Sequence, residues 1–294
     1  MSLSVSIVTP SFNQGKYIER TIQSVLSQNI PLEYVVVDGG STDETLAILK
    51  RYEKSLRFIS EADRGQAHAV NKGIMMTSGY IIGWLNSDDT YYLNAVQTAR
   101  DFLLAHPAVD IVYGKANHID EKDQIIEPYP TEEWSFQRLK QTCFISQPAV
   151  FFRRRVIEKV GLLNEKLNFC LDYEYWVRLA QGGRGFAYLP VVLAGSRLYP
   201  ATKTMSSPVA AQQETLHMLH DRLGYVPENW LLNEAITTVK NKTQLKRPHK
   251  RYPFAIFCTA LAAACRWNGV WKGLQSSFKL PAAMQKRRKK PAQK

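Results

Sequence analysis

Short runs of β-branched and aromatic residues alternate with helical patterns through the first hundred residues. That alternation admits few folds other than a largely parallel sheet flanked by helices. Val5-Ser6-Ile7-Val8 reads as the first strand, and Tyr17, Ile18, Ile22, Val25 and Leu26 then recur at helical spacing. Tyr34-Val35-Val36-Val37 is the second strand, stopped by Asp38-Gly39-Gly40-Ser41. Ser41 or Thr42 is expected to cap a helix whose apolar face includes Leu46, Leu49 and Tyr52. A third strand covers 56–59, and a helix carrying Ala69, Val70, Gly73 and Ile74 leads into the apolar run Tyr80-Ile81-Ile82-Gly83-Trp84-Leu85. Later strands are expected over 111–113 and 149–152, and a short helix over 172–180 with Tyr173, Trp176, Val177 and Ala180 on one face. Helical patterns resume over 209–223 and 229–239, before a polar, basic linker over 240–251.

A chain of 294 residues, 45% hydrophobic and 22% charged, can bury a sizeable core as one large or two modest domains. Its net charge of +12 is unevenly spread. Residues 235–294 hold 15 Lys or Arg and no Asp or Glu, which leaves 23 basic and 26 acidic residues in 1–234, a net of −3. Cys143, Cys170, Cys258 and Cys265 form no CxxC pair and fit ordinary packing in a reducing compartment. The first residues run into a strand without the basic region and apolar core of a secretory signal. No apolar stretch reaches the roughly 18–20 residues that span a bilayer. The uncharged run over 252–265 has 14 residues. The expected localisation is cytoplasmic, with peripheral contact on the cytoplasmic face of an inner membrane as an option.

Chemistry gathers in three loops that follow early strands and so share one sheet edge. They are Thr9-Pro10-Ser11-Phe12-Asn13, Asp38-Gly39-Gly40-Ser41-Thr42-Asp43 and Asn86-Ser87-Asp88-Asp89. The carboxyl edge is where open α/β sheets bind ligands. The adjacent carboxylates suit a hard divalent cation shared with phosphate oxygens. Gly39 and Gly40 let the backbone approach a flat ligand closely, and Asp38 can accept hydrogen bonds from a base or ribose. The same loop also reads as a turn followed by a helix cap. Neither GxGxxG after the first strand nor GxxxxGK[ST] is present, so dinucleotide and Walker-type phosphate cradles are not indicated.

Further segments complete a pattern: Ser60-Glu61-Ala62-Asp63-Arg64-Gly65, Asn71-Lys72-Gly73-Ile74, Gln147-Pro148-Ala149-Val150-Phe151-Phe152-Arg153 and Leu171-Asp172-Tyr173-Glu174-Tyr175-Trp176. With Ser6 to Asn13 and the two acidic loops, they resemble the inverting family 2 glycosyltransferases of GT-A fold, over about residues 3–200. The bacterial branch that builds O-antigen, capsule or exopolysaccharide is the nearest in flavour. The resemblance implies a Rossmann-like α/β mixed sheet flanked by helices, with a mostly helical C-terminal extension. It implies a nucleotide-sugar donor of UDP, dTDP or GDP type and a glycan or lipid-linked acceptor. Asp88 matches the last acid of the family's metal motif for Mn²⁺ or Mg²⁺, and Asn86 stands where the first acid often is. Asp172 matches the catalytic base, with helix capping as its alternative role and Glu174 as its rival. Thr9, Pro10, Ser11, Asp38, Gly39, Asn86, Ser87 and Asp89 fall at donor-binding positions. Asp63 and Asn71 are expected to order the donor loop, and Arg64 and Lys72 to meet the diphosphate.

Two departures qualify the pattern. Gly39 replaces the second of two successive acids, which opens the choice of base. Arg197-Leu198-Tyr199 stands where the family carries Arg-x-His, so the histidine's role cannot be carried over, while Arg197 is expected to contact diphosphate from a mobile loop over 195–206. The expected domains are a catalytic region at 1–205, divided at 114/115 into donor and acceptor parts, a helical extension at 206–280 and a basic tail at 281–294. Phe254, Phe257, Cys258, Leu261 and Cys265 recur at helical spacing, and Trp267, Trp271 and Phe278 follow among Arg266, Lys272 and Lys279. This suits either an interfacial helix on anionic lipid or a helix packed on the protein. Nucleic acid is a weaker match, since no binding motif accompanies the charge. A sugar nucleotidyltransferase and a non-catalytic membrane- or nucleic-acid-binding module are the competing functions.

Overall fold

The computed structural model describes residues 4–242 and 251–270. Its elements in chain order begin with β1 (Val5–Ser11), α1 (Ile18–Leu26), β2 (Glu33–Asp38), α2 (Thr45–Arg51), β3 (Arg57–Ser60), α3 (Gln66–Met75), β4 (Ile81–Trp84) and β5 (Thr90–Tyr91). There follow α4 (Ala95–Ala105), β6 (Ile111–Ile119), β7 (Ile125–Pro128), α5 (Phe136–Gln141), β8 (Val150–Arg153), α6 (Arg155–Val160), α7 (Leu171–Gln181) and β9 (Phe186–Arg197). The chain continues through α8 (Lys203–Ser206), α9 (Pro208–Leu223), α10 (Glu228–Lys242) and α11 (Tyr252–Asn268).

The strands form one mixed sheet in the order β3-β2-β1-β4-β8-β6-β9-β5, with β7 paired to β6. β1, β2, β3 and β4 are mutually parallel, and β8 then runs antiparallel to both β4 and β6. All seven residues of β1 are buried, as expected of a central strand covered on both faces. α3 crosses β1 at a glycine: a Cβ added to Gly73 would stand 2.3 Å from Val8 Cγ1. On the opposite flank Ile18, Thr21, Ile22 and Val25 give α1 one buried face. The expected α/β mixed sheet flanked by helices is the observed architecture.

Several local expectations shift. β1 continues through Ser11, because Thr9, Pro10 and Ser11 keep pairing with Val36, Val37 and Asp38. Thr9 and Pro10 are therefore strand residues, and the Thr9 hydroxyl lies 3.2 Å from the Tyr34 hydroxyl in the interior. Neither Ser41 nor Thr42 caps α2: the cap position is Glu44, while Asp43 accepts the Thr45 N–H at 3.0 Å. The sequence period marked only the apolar half of β6, which runs on to Ile119 because β9 pairs with it along that length.

The chain divides into two compact units, 1–135 with 143–206 and 136–142 with 207–294. The sheet belongs to the first. In the second, Leu232, Ala235 and Val239 of α10 pack with Tyr252, Ile256 and Ala260 of α11. Arg266 bonds Glu234, and Trp267 Nε1 donates to the same carboxylate at 3.1 Å. The tail expected over 281–294 lies outside the described residues. Among the described residues no helix is long and apolar enough to cross a membrane.

Candidate active site

The parallel strands β1, β2 and β4 end side by side, so the residues after them share one edge. The first loop is fastened to the second: Asn13 N–H donates to Ser41 Oγ at 2.7 Å, Thr42 N–H to Asn13 Oδ1 at 2.9 Å and Gly15 N–H to Asp43 Oδ2 at 2.8 Å. Asn13 adopts φ 51°, a left-handed conformation that asparagine tolerates better than most residues. Phe12, immediately before it, is left 60% exposed. No sequence signal marked this ring, because its exposure is created by the folded loop. Ser11 is buried, and its hydroxyl has no partner among the described residues.

Asp38 is fully buried. Its carboxylate accepts the N–H groups of Gly40 and Ser41 at 3.2 and 2.9 Å and the hydroxyls of Ser41 and Ser60 at 2.5 and 2.6 Å. Its observed work is to shape the loop, and these four bonds occupy the oxygens expected to read a base or ribose. Gly39 matters differently. A Cβ there would come 2.8 Å from Asp63 Oδ2, so the missing side chain leaves room for a carboxylate delivered from β3's loop. Asp63 Oδ1 accepts the Gly65 N–H at 2.7 Å.

The cations expected at diphosphate are matched with acids. Arg64 pairs with Glu165 at 2.7 Å and Lys72 with Glu61. Asn71 is buried, donates to the Leu163 carbonyl at 3.0 Å and accepts the Leu163 N–H at 2.9 Å. It thus pins the segment before α7 onto α3 rather than facing the edge.

Of the two carboxylates in the acidic loop, that of Asp88 is the one not fully buried. Asn86 accepts from Trp84 Nε1 and Gln66 Nε2 at 2.9 and 2.7 Å and donates to Gln147 Oε1 at 2.9 Å, so its amide is consumed by the framework. Ser87 is buried, and its carbonyl takes the Thr21 hydroxyl at 2.9 Å. Asp89 Oδ1 accepts the Arg197 N–H at 2.8 Å, which anchors the loop to β9. Asp88 is half-buried, and Tyr199 donates to its Oδ2 at 2.9 Å. Burial raises the pKa of both acids, and the charge of Asp88 raises that of Asp89 further.

Arg197 departs from expectation. Its guanidinium is buried, donates to the carbonyls of Asp88 and Asp120, pairs with Asp123 and lies 4.9 Å from the Tyr17 ring centroid. The stretch 195–197 belongs to β9 rather than to a mobile loop. A buried guanidinium needs all its N–H groups satisfied, and loop carbonyls satisfy them. The side chains this segment does bring to the edge are Tyr199 and Lys203, whose Nζ donates to Gln66 Oε1 at 3.1 Å and whose charge lowers the Asp88 pKa. The altered Arg-x-His pattern pointed at Tyr199. Nothing in the sequence singled out Lys203.

Asp172 is not a helix cap. The cap position is Cys170, and Asp172 lies in the first turn of α7, its Oδ1 accepting the Tyr173 N–H at 2.7 Å. Burial pushes its pKa up to about 6. Its charge reaches the Cys143 thiol and the Tyr129 hydroxyl, both of which burial already raises. Glu174 is turned into the core, where Arg178 binds both of its oxygens at 2.9 and 3.1 Å.

A cation arriving with a diphosphate fits this edge better than a self-sufficient metal site does. Among the described residues no group of three His, Cys, Asp or Glu could hold a metal, and Asp88 offers one half-buried carboxylate. Mg²⁺ commonly keeps several waters and takes one or two protein carboxylates plus substrate phosphates.

The chain is 32% identical over 184 residues to chondroitin synthase of Escherichia coli, covering 61% of this chain and 27% of that protein. It is 28% identical over 214 residues to an uncharacterized glycosyltransferase of Rickettsia prowazekii (strain Madrid E), covering 68% of this chain and 65% of that protein. It therefore spans less than two thirds of either relative. Among solved structures, Staphylococcus aureus TarS 1–349 in complex with UDP-GlcNAc matches with a TM-score of 0.63 at 14% identity, over 97% of this chain and 92% of that one. The mannosyltransferase PcManGT from Pyrobaculum calidifontis, in complex with GDP-Man and Mn²⁺, matches with a TM-score of 0.58 at 19% identity, over 97% and 88%. These likenesses show a GT-A glycosyltransferase fold. The sequence model described as glycosyl transferase family 2 matches residues 6–161, more than half of the chain, and the protein belongs to that family.

Proposed function

We propose that the protein is an inverting glycosyltransferase that moves a sugar from a nucleotide-sugar donor to a hydroxyl of a glycan or lipid-linked saccharide in bacterial surface-polysaccharide synthesis. The observation that carries the reading is the contrast between two nearby acids: Asp172 stays partly exposed in the first turn of α7, where desolvation pushes its carboxyl up to about 6, whereas Glu174 is buried and held by Arg178 through both oxygens. A base that titrates close to the working pH transfers protons efficiently. Asp172 removes the acceptor's hydroxyl proton while that oxygen bonds to the anomeric carbon. The bond from that carbon to the diphosphate oxygen breaks, and the nucleoside diphosphate leaves with the electron pair. A single displacement from the opposite face inverts the anomeric centre.

On the donor side, Gly39, Asp63, Ser11 and the exposed ring of Phe12 bound the nucleoside end of the edge. Donor nucleotides of UDP, dTDP or GDP type enter this reading equally. UDP-GlcNAc and GDP-Man are bound by the two structural neighbours. Asp88 would hold Mn²⁺ or Mg²⁺ together with the diphosphate. When bound, that cation supplies charge neutralisation to the departing diphosphate. Arg64 and Lys72 reach phosphate by exchanging Glu165 and Glu61 for it.

Thermal-shift screening of nucleotide sugars with and without Mn²⁺ tests the donor reading, because a ligand that binds only the folded state raises its melting temperature. Asp88→Ala is expected to abolish the Mn²⁺-dependent shift while the melting temperature of the free protein stays close to wild type. An equal shift in Asp88→Ala, or no nucleotide sugar that stabilises the wild type, overturns it.

A further inference from the structure

α11 is 17 residues long, about 25 Å at 1.5 Å per residue, and among the described residues only one of its faces is buried. Tyr252, Ile256, Ala260, Ala263 and Ala264 point into the second unit's core. On the outward side Arg251, Phe254, Cys258, Ala262 and Arg266 follow at spacings of three and four residues, all exposed. Phe254 is 72% exposed and Val270, just past the helix, is 63% exposed. A surface helix ordinarily shows polar residues to water, yet no charged side chain lies between Arg251 and Arg266. An apolar strip therefore runs along the helix with an arginine at each end, Arg266 keeping its side chain 61% exposed while paired with Glu234.

We propose that this outward face of α11 docks on an anionic lipid surface, with the helix lying in the plane of the interface. Charge selects the occupant. Residues 235–294 carry 15 Lys or Arg and no acid, so two copies of this region repel each other while phosphate headgroups attract it. Nucleic acid prefers basic side chains on the contacting face itself, whereas here the face is apolar and the cations stand at its ends. An aromatic and aliphatic face flanked by cations is what an interfacial helix buries at the headgroup boundary. The inference is independent of the donor chemistry.

Flotation of the full-length protein with vesicles of phosphatidylcholine, alone or mixed with phosphatidylglycerol, tests it without any sugar nucleotide. Binding is expected only to the phosphatidylglycerol vesicles, weakening as salt rises. Phe254→Glu and Ala262→Glu should each lower the affinity about tenfold, because each puts a charge into the apolar face. Phe254→Ala, which adds no charge, should lower it less, and melting temperatures should stay close to wild type. Vesicle binding that ignores phosphatidylglycerol, or that survives both glutamate variants unchanged, overturns the proposal. So does tighter binding to single-stranded RNA than to vesicles. None of these outcomes touches the transferase reading, which the thermal-shift screen addresses separately.

Discussion

At the scale of single residues, Asp172 joins activity to stability with opposite signs. Its folded-state pKa of about 6 lies above the ordinary value of 3.8, so the buried carboxyl favours the fold when protonated. That contribution is complete below about pH 4 and is lost as pH rises through 6. Asp172→Asn should therefore melt higher than wild type at pH 7.5 and equal to it near pH 4, while transfer falls at least about a hundredfold. In the wild type, kcat/KM should fall with falling pH below about 6. A variant that keeps turnover, or melts lower at pH 7.5, removes Asp172 from this role. Gly39 offers a second check. Gly39→Ala pushes a methyl toward Asp63 Oδ2, and Asp63 is half-exposed and free to yield. Donor affinity should fall several-fold, to about tenfold, with little change in melting temperature. Asp172 and Asp63 were legible through the family pattern, since neither follows an apolar run such as the one before Asp88. The orientation of Arg197 was not: which way a guanidinium turns depends on carbonyls of 88 and 120 that folding alone brings near it.

Elements were easier to read than their ends. The apolar runs and helical periods of the first hundred residues locate β1 to β4 and α1 to α3, since burial on both sheet faces demands continuous apolar sequence. β5, two residues long, and the second half of β6 carry no such run. They exist because β9 supplies hydrogen bonds to both, a long-range cause invisible to local pattern. α3 shows how tightly one element is fitted. Gly73 meets Val8 of β1 at a distance no Cβ can occupy, so Gly73→Ala forces α3 off the sheet at a cost of about 1–3 kcal/mol. The helix gains intrinsic propensity from alanine, which makes the sign informative. A lower melting temperature by several degrees is expected in a thermal scan, and a rise would show that the interface yields instead.

Across the whole molecule, the break between units falls at residue 206, whereas the acidic share of the chain ends only in Glu234 and basic residues dominate thereafter, so charge composition does not mark the boundary. What the sequence could not announce is that this last acid organises the second unit. Glu234 is 4% exposed. It binds Arg266 and Trp267 of α11, with Gln213 of α9 at 3.4 Å. Three helices thus meet on one carboxylate. Arg266 is 61% exposed on its side chain and can return to water when Glu234 is replaced, so the ion pair itself contributes little. The Trp267 N–H is left without its acceptor, which costs about 1–3 kcal/mol. Because the first unit has its own core in the sheet, the loss should stay local. In hydrogen exchange, Glu234→Ala is expected to lower protection in α9, α10 and α11 about ten- to hundredfold while amides of β1, β2 and β4 keep wild-type rates. Glu234→Gln, which can still accept from Trp267, should lose much less. Equal loss in both units would mean that the chain opens as one cooperative body, with Glu234 anchoring all of it.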